Sequence, residues 1–145
     1  MTTLYTIGSG RRSAESFFET LRAHGVARVL DVWRRTGAQL AGFAKGTDLA
    51  YLLRATAGIG YRHWIAAAPD AELLRSWGAG TVDWPAYGRE YLAGLERDRV
   101  LEGIALAELG SACLLCAEPT PERCHRRLLA EELAARFPAL EVVHL

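Results

Sequence analysis

Residues 113–127, Cys-Leu-Leu-Cys-Ala-Glu-Pro-Thr-Pro-Glu-Arg-Cys-His-Arg-Arg, pass from a buried strand into the first turn of a helix. The strand is predicted at 112–116, where almost every residue is apolar. The helix is predicted at 123–136, because leucines recur there at helical spacing. A helix N-terminus carries partial positive charge and unpaired N–H groups, so it attracts anions and favours thiolates. We therefore expect the functional site at this junction.

The rest of the chain alternates short apolar runs with helical patterns. Further strands are predicted at 4–7, 26–32, 59–64 and 140–144, and further helices after Ser13, before Gly58, around 71–77, from Trp84 onward and over 100–109. This alternation predicts an α/β fold, a single compact domain with a mostly parallel, Rossmann-like sheet and helices on both faces. Ligands of such folds bind at the carboxyl ends of the strands. The strand order stays open, because periodicity does not fix it.

Size and composition limit the class of protein. The chain has 145 residues, half of them apolar, and a formal net charge of zero. This composition suits one domain with a hydrophobic core and gives no global attraction to nucleic acids or membrane surfaces. No signal segment and no stretch long and apolar enough to span a bilayer are found, so we expect a cytoplasmic protein. The three cysteines are an odd number, and free thiols are expected rather than a disulfide framework.

Cys124 and His125 are the first catalytic candidates. A thiolate at a helix N-terminus, near arginines, can attack an electrophile. In the alternative interpretation, Cys124 packs against the sheet as a small apolar residue and His125 satisfies neighbouring polar groups. Cys116 is expected in the core, and a reversible disulfide between it and Cys124 stays open.

A metal site is expected to be absent, although three cysteines and His125 fall close together in the sequence. Residues three apart on a strand point to opposite faces, so Cys113 and Cys116 are not expected to share an ion. The adjacent side chains of Cys124 and His125 are expected to diverge at the start of the helix. No cofactor is indicated by any motif.

Two further acid–base candidates lie at the ends of predicted strands. Asp31 is a general base, an acceptor for a sugar hydroxyl, or an ion-pair partner of Arg34 or Arg126, and these alternatives stay open. His63 is either a hydrogen-bonded interior histidine or an acid–base group.

Donors for an anion are expected at the same edge of the sheet. Gly8 and Ser9 follow the first strand, where a glycine gives a phosphate room to approach the backbone, although the third glycine of a dinucleotide-binding motif is missing. The planar guanidinium groups of Arg11, Arg34 and Arg126 suit bidentate contacts with phosphate or carboxylate. We predict that these five residues form an anion-binding site.

Several of these residues occur together in a known arrangement. The segments Thr6-Ile-Gly8, Asp31-Val32, Tyr61-x-His63 and Cys116-Ala-Glu with Cys124-His-Arg126 resemble, in order and spacing along the chain, the bacterial and archaeal family called domain of unknown function 488. The resemblance implies a compact α/β domain and no particular activity. Two positions depart from the family pattern: Ser9 stands where the family usually has histidine, and Trp33 where it usually has arginine.

Three functions stay open. The first is a small enzyme acting on an anionic, phosphorylated or nucleotide-like small molecule, with chemistry from Cys124, His125, Asp31 or His63. The second is a non-catalytic ligand-sensing or structural domain whose Cys-His-Arg motif holds the strand–helix junction. The third is a nucleic-acid-binding accessory module, which the neutral net charge disfavours. Substrate, cofactor and oligomeric state do not follow from the sequence.

Overall fold

A parallel β-sheet lies at the centre of the computed structural model, which describes residues 1–36 and 41–145. Its strands are β1 (Thr2–Gly8), β2 (Arg28–Asp31), β3 (Gly60–His63), β4 (Ala112–Cys116) and β5 (Leu140–His144). They lie in the order β3-β2-β4-β1-β5, and each neighbouring pair is parallel. The predicted α/β fold is therefore confirmed, and all five of these strands are parallel.

Capping side chains mark the start of three of the helices. They are α1 (Ala14–Ala23), α2 (Gly46–Ala57), α3 (Ala71–Gly78), α4 (Trp84–Arg97), α5 (Leu106–Leu109) and α6 (His125–Arg136). Ser13, Asp70 and Asp83 each accept a hydrogen bond from a backbone N–H in the first turn of α1, α3 and α4. Gly58 ends α2 in the left-handed conformation, with φ of 66°. Within the described residues, no helix has the length and apolar character needed to cross a membrane.

The helices cover both faces of the sheet, as predicted. Leu114 and Leu115 are adjacent in β4 and point to opposite faces. Leu115 packs in a core with residues of α1 and α2, such as Leu21. Leu114 packs in a second core with residues of α4 and α6, such as Tyr91 and Leu129. The result is a three-layer arrangement with the sheet in the middle.

Two predicted helices have different bounds in the structure. The stretch 100–109 contains a 3₁₀ turn at Val100–Gly103, then the extended residue Ile104, then the single turn α5. Gly103, the last residue of the 3₁₀ turn, favours this break because glycine has a low helix propensity. The helix predicted from 123 starts at His125, because Cys124 has extended backbone angles, φ −132° and ψ 139°, and serves as the N-cap.

The strands β1 and β4 are neighbours in the sheet, but the chain segments that follow them cross to opposite faces of the sheet. The helix after β1, α1, packs on one face, and the helix after β4, α6, packs on the other. Such a reversal separates the loops at the carboxyl ends of the two strands, which is where open α/β sheets bind ligands. Ser9 and Cys116 meet there through a backbone hydrogen bond of 3.0 Å from the Ser9 N–H. The strand order thus selects the β1–β4 boundary as the place to look for a site.

Candidate functional site

Two thiols and an imidazole converge where β4 leads into α6. The sulfurs of Cys116 and Cys124 and a ring nitrogen of His125 all lie within 4.8 Å of one another, and all three residues are buried. Cys116 is the last residue of β4, and Cys124 and His125 are the N-cap and first residue of α6. The predicted divergence of Cys124 and His125 is wrong, because the extended backbone of Cys124 lies outside the helix and does not follow helical spacing.

Cys113 does not belong to this cluster. It lies in the core formed with α1 and α2, on the face of the sheet opposite α6. The expectation that Cys113 and Cys116 point to opposite faces is therefore confirmed. All three cysteines are free and buried.

The His125 ring is held in one orientation. Its Nε2 lies 2.8 Å from the Val32 carbonyl oxygen, which only accepts, so Nε2 carries the proton and donates. The other nitrogen, Nδ1, lies 4.0 Å from the Cys116 sulfur. Trp33 stacks on the ring and Tyr91 meets it edge-on, with centroid separations of 6.3 Å and 5.5 Å. The hydrogen bond and the packing together direct Nδ1 toward the thiols.

Arg126 is a fully buried cation beside the cluster. Its NH1 donates to the Glu118 carbonyl oxygen at 2.9 Å and lies 3.6 Å from the Cys124 sulfur, and its Nε donates to Thr6 Oγ1 at 3.4 Å. Its NH2 is buried and has no hydrogen-bond partner. Among the described residues, no carboxylate forms an ion pair with this guanidinium. Arg126 therefore stands next to a thiol where a buried arginine ordinarily has an acid.

The surroundings of Cys116 and Cys124 shift the pKa values of their thiols in opposite directions. Burial alone would raise the pKa of Cys124, but hydrogen bonds with Cys116 and His125, together with the electrostatic influence of His125 and Arg126, outweigh it and hold that pKa well below its usual value. Burial raises the pKa of Cys116 well above its usual value, and the hydrogen bond and negative charge of Cys124 raise it further. The arrangement therefore favours a thiolate on Cys124 and a neutral thiol on Cys116.

Asp31 and His63 form a separate network at the ends of β2 and β3. Asp31 is fully buried and accepts hydrogen bonds from the Tyr61 hydroxyl at 2.7 Å and from the Trp33 N–H at 3.1 Å. Burial raises the pKa of its carboxyl, and the Tyr61 hydrogen bond offsets part of that rise. His63 Nε2 donates to the Trp33 carbonyl oxygen at 2.7 Å. The structure thus supplies Asp31 with a partner, Tyr61, that the sequence analysis had not assigned to it.

The alternative ion pairs of Asp31 are not formed. In residues 1–36 and 41–145, neither Arg34 nor Arg126 lies within ion-pairing distance of its carboxylate. Arg34 instead donates through Nε to the Pro69 carbonyl oxygen at 2.7 Å. The Val32–Trp33 segment links the two networks, since His125 binds the carbonyl of the first residue and His63 that of the second.

The five residues predicted to bind an anion lie in different environments. A Cβ added at Gly8 would lie 1.7 Å from the Glu118 carbonyl oxygen. The loop after β4 therefore occupies the space beside Gly8 in which a phosphate was predicted to bind. Ser9 is buried, and its hydroxyl lies 3.5 Å from the Cys116 carbonyl oxygen. Arg11 is exposed and has a left-handed backbone, with φ of 59°. Of the five predicted donors, Arg126 lies 3.6 Å from the Cys124 sulfur, and Ser9 contacts the backbone carbonyl of Cys116.

A slot of about 300 Å³ reaches the cluster from the surface. Its walls include Trp33, Leu74, Trp77 and Tyr87, and Cys124 and His125 lie along it. Arg123 and Glu118 also line it. A second cavity of about 380 Å³ shares Trp33 and Leu74 with the slot and is lined by Arg34, Arg35 and Arg75. A larger cavity, about 720 Å³ between α4 and α6, includes none of the predicted site residues.

Comparison with known proteins identifies the family and nothing beyond it. A family described as domain of unknown function DUF488 matches residues 13–133, a range that includes the network of Asp31 and the whole cysteine–histidine–arginine cluster and excludes β1 and β5. No curated protein and no solved structure gives a significant match. Because the match extends over most of the sequence, the chain belongs to the family described as domain of unknown function DUF488.

Proposed function

We propose that this protein binds an anionic small molecule at the carboxyl edge of its sheet and that Cys124 attacks it as a nucleophile. The observation that carries the proposal is the contact between the buried Arg126 guanidinium and the Cys124 sulfur, at 3.6 Å. A buried cation is costly unless a negative group compensates it. With no carboxylate paired to Arg126 among the described residues, a Cys124 thiolate is the group that supplies this charge.

The slot supports access of a small ligand to the sulfur. Cys124 is only 2 % exposed, so a large substrate does not reach it, but Cys124 is one of the residues that line the slot. The aromatic walls suit a planar group, and Arg123 beside Cys124 suits an anionic one. Phosphorylated or nucleotide-like molecules combine both features, which is why we favour them as the substrate class.

His125 completes the proposed chemistry as an acid–base partner. The Cys124 thiol gives its proton to Nδ1, while Nε2 keeps its own proton on the Val32 carbonyl. The thiolate then bonds to the electrophilic atom of the substrate, and the leaving group departs with the bonding electron pair and takes the proton from Nδ1. A water molecule then attacks the same atom and gives a proton to Nδ1, and the bond between that atom and the sulfur breaks, which frees the product and regenerates the thiolate. Asp31 and His63 lie in a separate network, and we assign them to positioning the Val32–Trp33 segment.

A non-catalytic role is the second candidate, and a specific observation favours it. Cys124, His125 and Arg126 are 2 %, 2 % and 0 % exposed, and the last two donate hydrogen bonds to backbone carbonyls. A motif that only holds the strand–helix junction would have these properties. It would not leave Arg126 NH2 without a partner, and it would not require a slot lined by Cys124 and His125.

Protection from alkylation separates the two candidates. Protein freed of metal ions is treated with iodoacetamide, and labelling of Cys124 is followed by mass spectrometry with and without inorganic phosphate, nucleoside monophosphates and uncharged nucleosides. We expect the anions to slow labelling of Cys124 and the Arg123→Gln variant to lose part of this protection. Arg136→Gln, an exposed change at the far end of α6, is the matched control. Labelling that no anion slows contradicts the proposal and favours the structural role.

A further inference from the structure

We infer that Cys116, Cys124 and His125 form a binding site for one thiophilic metal ion of the Zn²⁺ class. The inference goes beyond the proposed function, because an ion held by the Cys124 sulfur removes that sulfur from nucleophilic chemistry. Metal-bound and reactive forms of the protein are then mutually exclusive, and the ion acts as a reversible inhibitor of the site.

The distances between the donor atoms are close to those that a tetrahedral ion requires. Sulfur and nitrogen ligands of a tetrahedral Zn²⁺ ion lie roughly 3.5–3.8 Å from one another. Here the three donor atoms lie within 4.8 Å of one another, and Cys116 Sγ and His125 Nδ1 are 4.0 Å apart. The last distance exceeds the tetrahedral separation by a few tenths of an ångström, and the widest of the three exceeds it by at most about 1 Å, so the site closes on an ion through small side-chain movements.

The groups that would orient two of the three ligands are already in contact with them. Ligating histidines generally donate their other ring N–H to a carbonyl or carboxylate, which fixes the tautomer. His125 does so through Nε2 to the Val32 carbonyl at 2.8 Å, which leaves Nδ1 as the metal-facing lone pair. The Arg126 NH1 group near the Cys124 sulfur, at 3.6 Å, can orient a ligating sulfur in the same way. Both contacts exist before any ion enters.

The donor set indicates which ion binds and with which coordination. Two sulfurs and an imidazole favour Zn²⁺ and similar thiophilic ions over Mg²⁺ or Ca²⁺, which prefer oxygen. Structural zinc sites are usually closed by four protein ligands, whereas catalytic sites have three and an open position. Here the described residues supply three, and the slot reaches Cys124 and His125. We assign the fourth position to a water molecule or a ligand entering through the slot.

Cys113 and Cys116 provide a matched pair of variants for the test. Both are buried residues of the same strand, and they lie on opposite faces of the sheet, so Cys113→Ala and Cys116→Ala remove equal volume while only the second removes a ligand. Each protein is freed of metal with EDTA and desalted. Zn²⁺ is then titrated in competition with a chromophoric chelator, Co²⁺ binding is followed by its thiolate absorption, and native mass spectrometry counts the ions. Circular dichroism verifies the fold of each variant.

The expected result is one Zn²⁺ per chain in the parent protein and in Cys113→Ala, with affinity at least about 100-fold weaker in Cys116→Ala. His125→Gln serves as a second ligand variant if Cys116→Ala does not fold. No uptake by the parent protein, or equal affinity in the parent and a folded ligand variant, overturns the inference. Alkylation of Cys124 in the metal-free parent protein, in which the thiol cluster is intact, reports separately on the proposed function, so failure of one does not imply failure of the other.

Discussion

The Arg126 guanidinium lies against the Cys124 sulfur, with 3.6 Å between NH1 and Sγ, and both side chains are buried between β4 and α6. The same NH1 holds the Glu118 carbonyl of the loop that covers Gly8. One side chain is therefore placed for two roles: it fixes the loop between β4 and α6, and its charge lowers the pKa of the Cys124 thiol. Removing it should affect both stability and reactivity.

Replacing Arg126 by Met tests these roles, because Met approximates its length without the charge. The Glu118 carbonyl and the Thr6 hydroxyl lose their donor, so we expect the free energy of unfolding to fall by about 1–3 kcal/mol. The pKa of Cys124 should rise, since Arg126 helps to lower it, and alkylation of Cys124 at neutral pH should slow about tenfold or more. Chemical denaturation and timed labelling measure the two effects.

Arg136→Gln is the control for this experiment, because Arg136 is exposed in the last turn of the same helix. It should leave both quantities unchanged. If Arg126→Met destabilises the fold but leaves the labelling rate of Cys124 as it was, the guanidinium is structural and does not support a thiolate.

A methyl group at Gly8 should disturb the same loop from the other side. In Gly8→Ala the new Cβ meets the Glu118 carbonyl oxygen at 1.7 Å, and a backbone group cannot rotate away as a side chain could. We expect a loss of about 3 kcal/mol or more in the free energy of unfolding, together with slower labelling of Cys124. Gly103→Ala, where the added Cβ has nothing within 4 Å, should change stability by less than about 0.5 kcal/mol. Equal thermal stability of the two variants would show that the loop does not cover Gly8 in solution.

Tyr61→Phe should produce a pH-dependent loss of stability. The Tyr61 hydroxyl donates to the buried Asp31 carboxylate, a type of hydrogen bond worth about 1.5–3 kcal/mol. Burial already raises the pKa of Asp31 in the folded protein, and loss of this donor raises it further. The deficit in unfolding free energy is therefore full at pH values above the folded-state pKa of Asp31, where the carboxyl is ionised, and shrinks as pH falls through that pKa.

Denaturant titrations of Tyr61→Phe at several pH values, with Tyr51→Phe as the control at an exposed position, measure this dependence. A deficit that is constant with pH would mean that Asp31 is uncharged throughout and that its partner contributes only a neutral hydrogen bond.

The sequence predicted elements wherever a local pattern determines them. The bounds of β4 and β5 are confirmed, because short apolar runs are flanked there by residues that interrupt strands. The position of β4 between β2 and β1 was not predictable, because these three strands have similar apolar patterns and only their packing with distant helices orders them. That order creates the boundary between β1 and β4 beside which the cluster of Cys116, Cys124 and His125 lies.

The position of the cysteine–histidine cluster along the chain followed from the sequence, but its geometry did not. The junction between β4 and α6 holds the cluster, as expected, but the meeting of Cys124 and His125 depends on the extended N-cap conformation, which residue spacing does not reveal. The burial of Arg126 also escaped prediction, because arginines are seldom fully buried. A signal was present: Arg126 precedes Leu129 by three residues and Leu133 by seven, so it falls on the buried stripe of α6.

The most direct test of the central claim is the alkylation rate of each cysteine against pH, measured by mass spectrometry in protein treated with EDTA. We predict that Cys124 reacts first and that its rate falls only at pH values well below about 8.5, the pKa of a free thiol, while Cys113 and Cys116 react slowly in the folded protein. Labelling of Cys124 no faster than that of Cys113, or an apparent pKa at or above the free-thiol value, would contradict the assignment of Cys124 as a thiolate nucleophile.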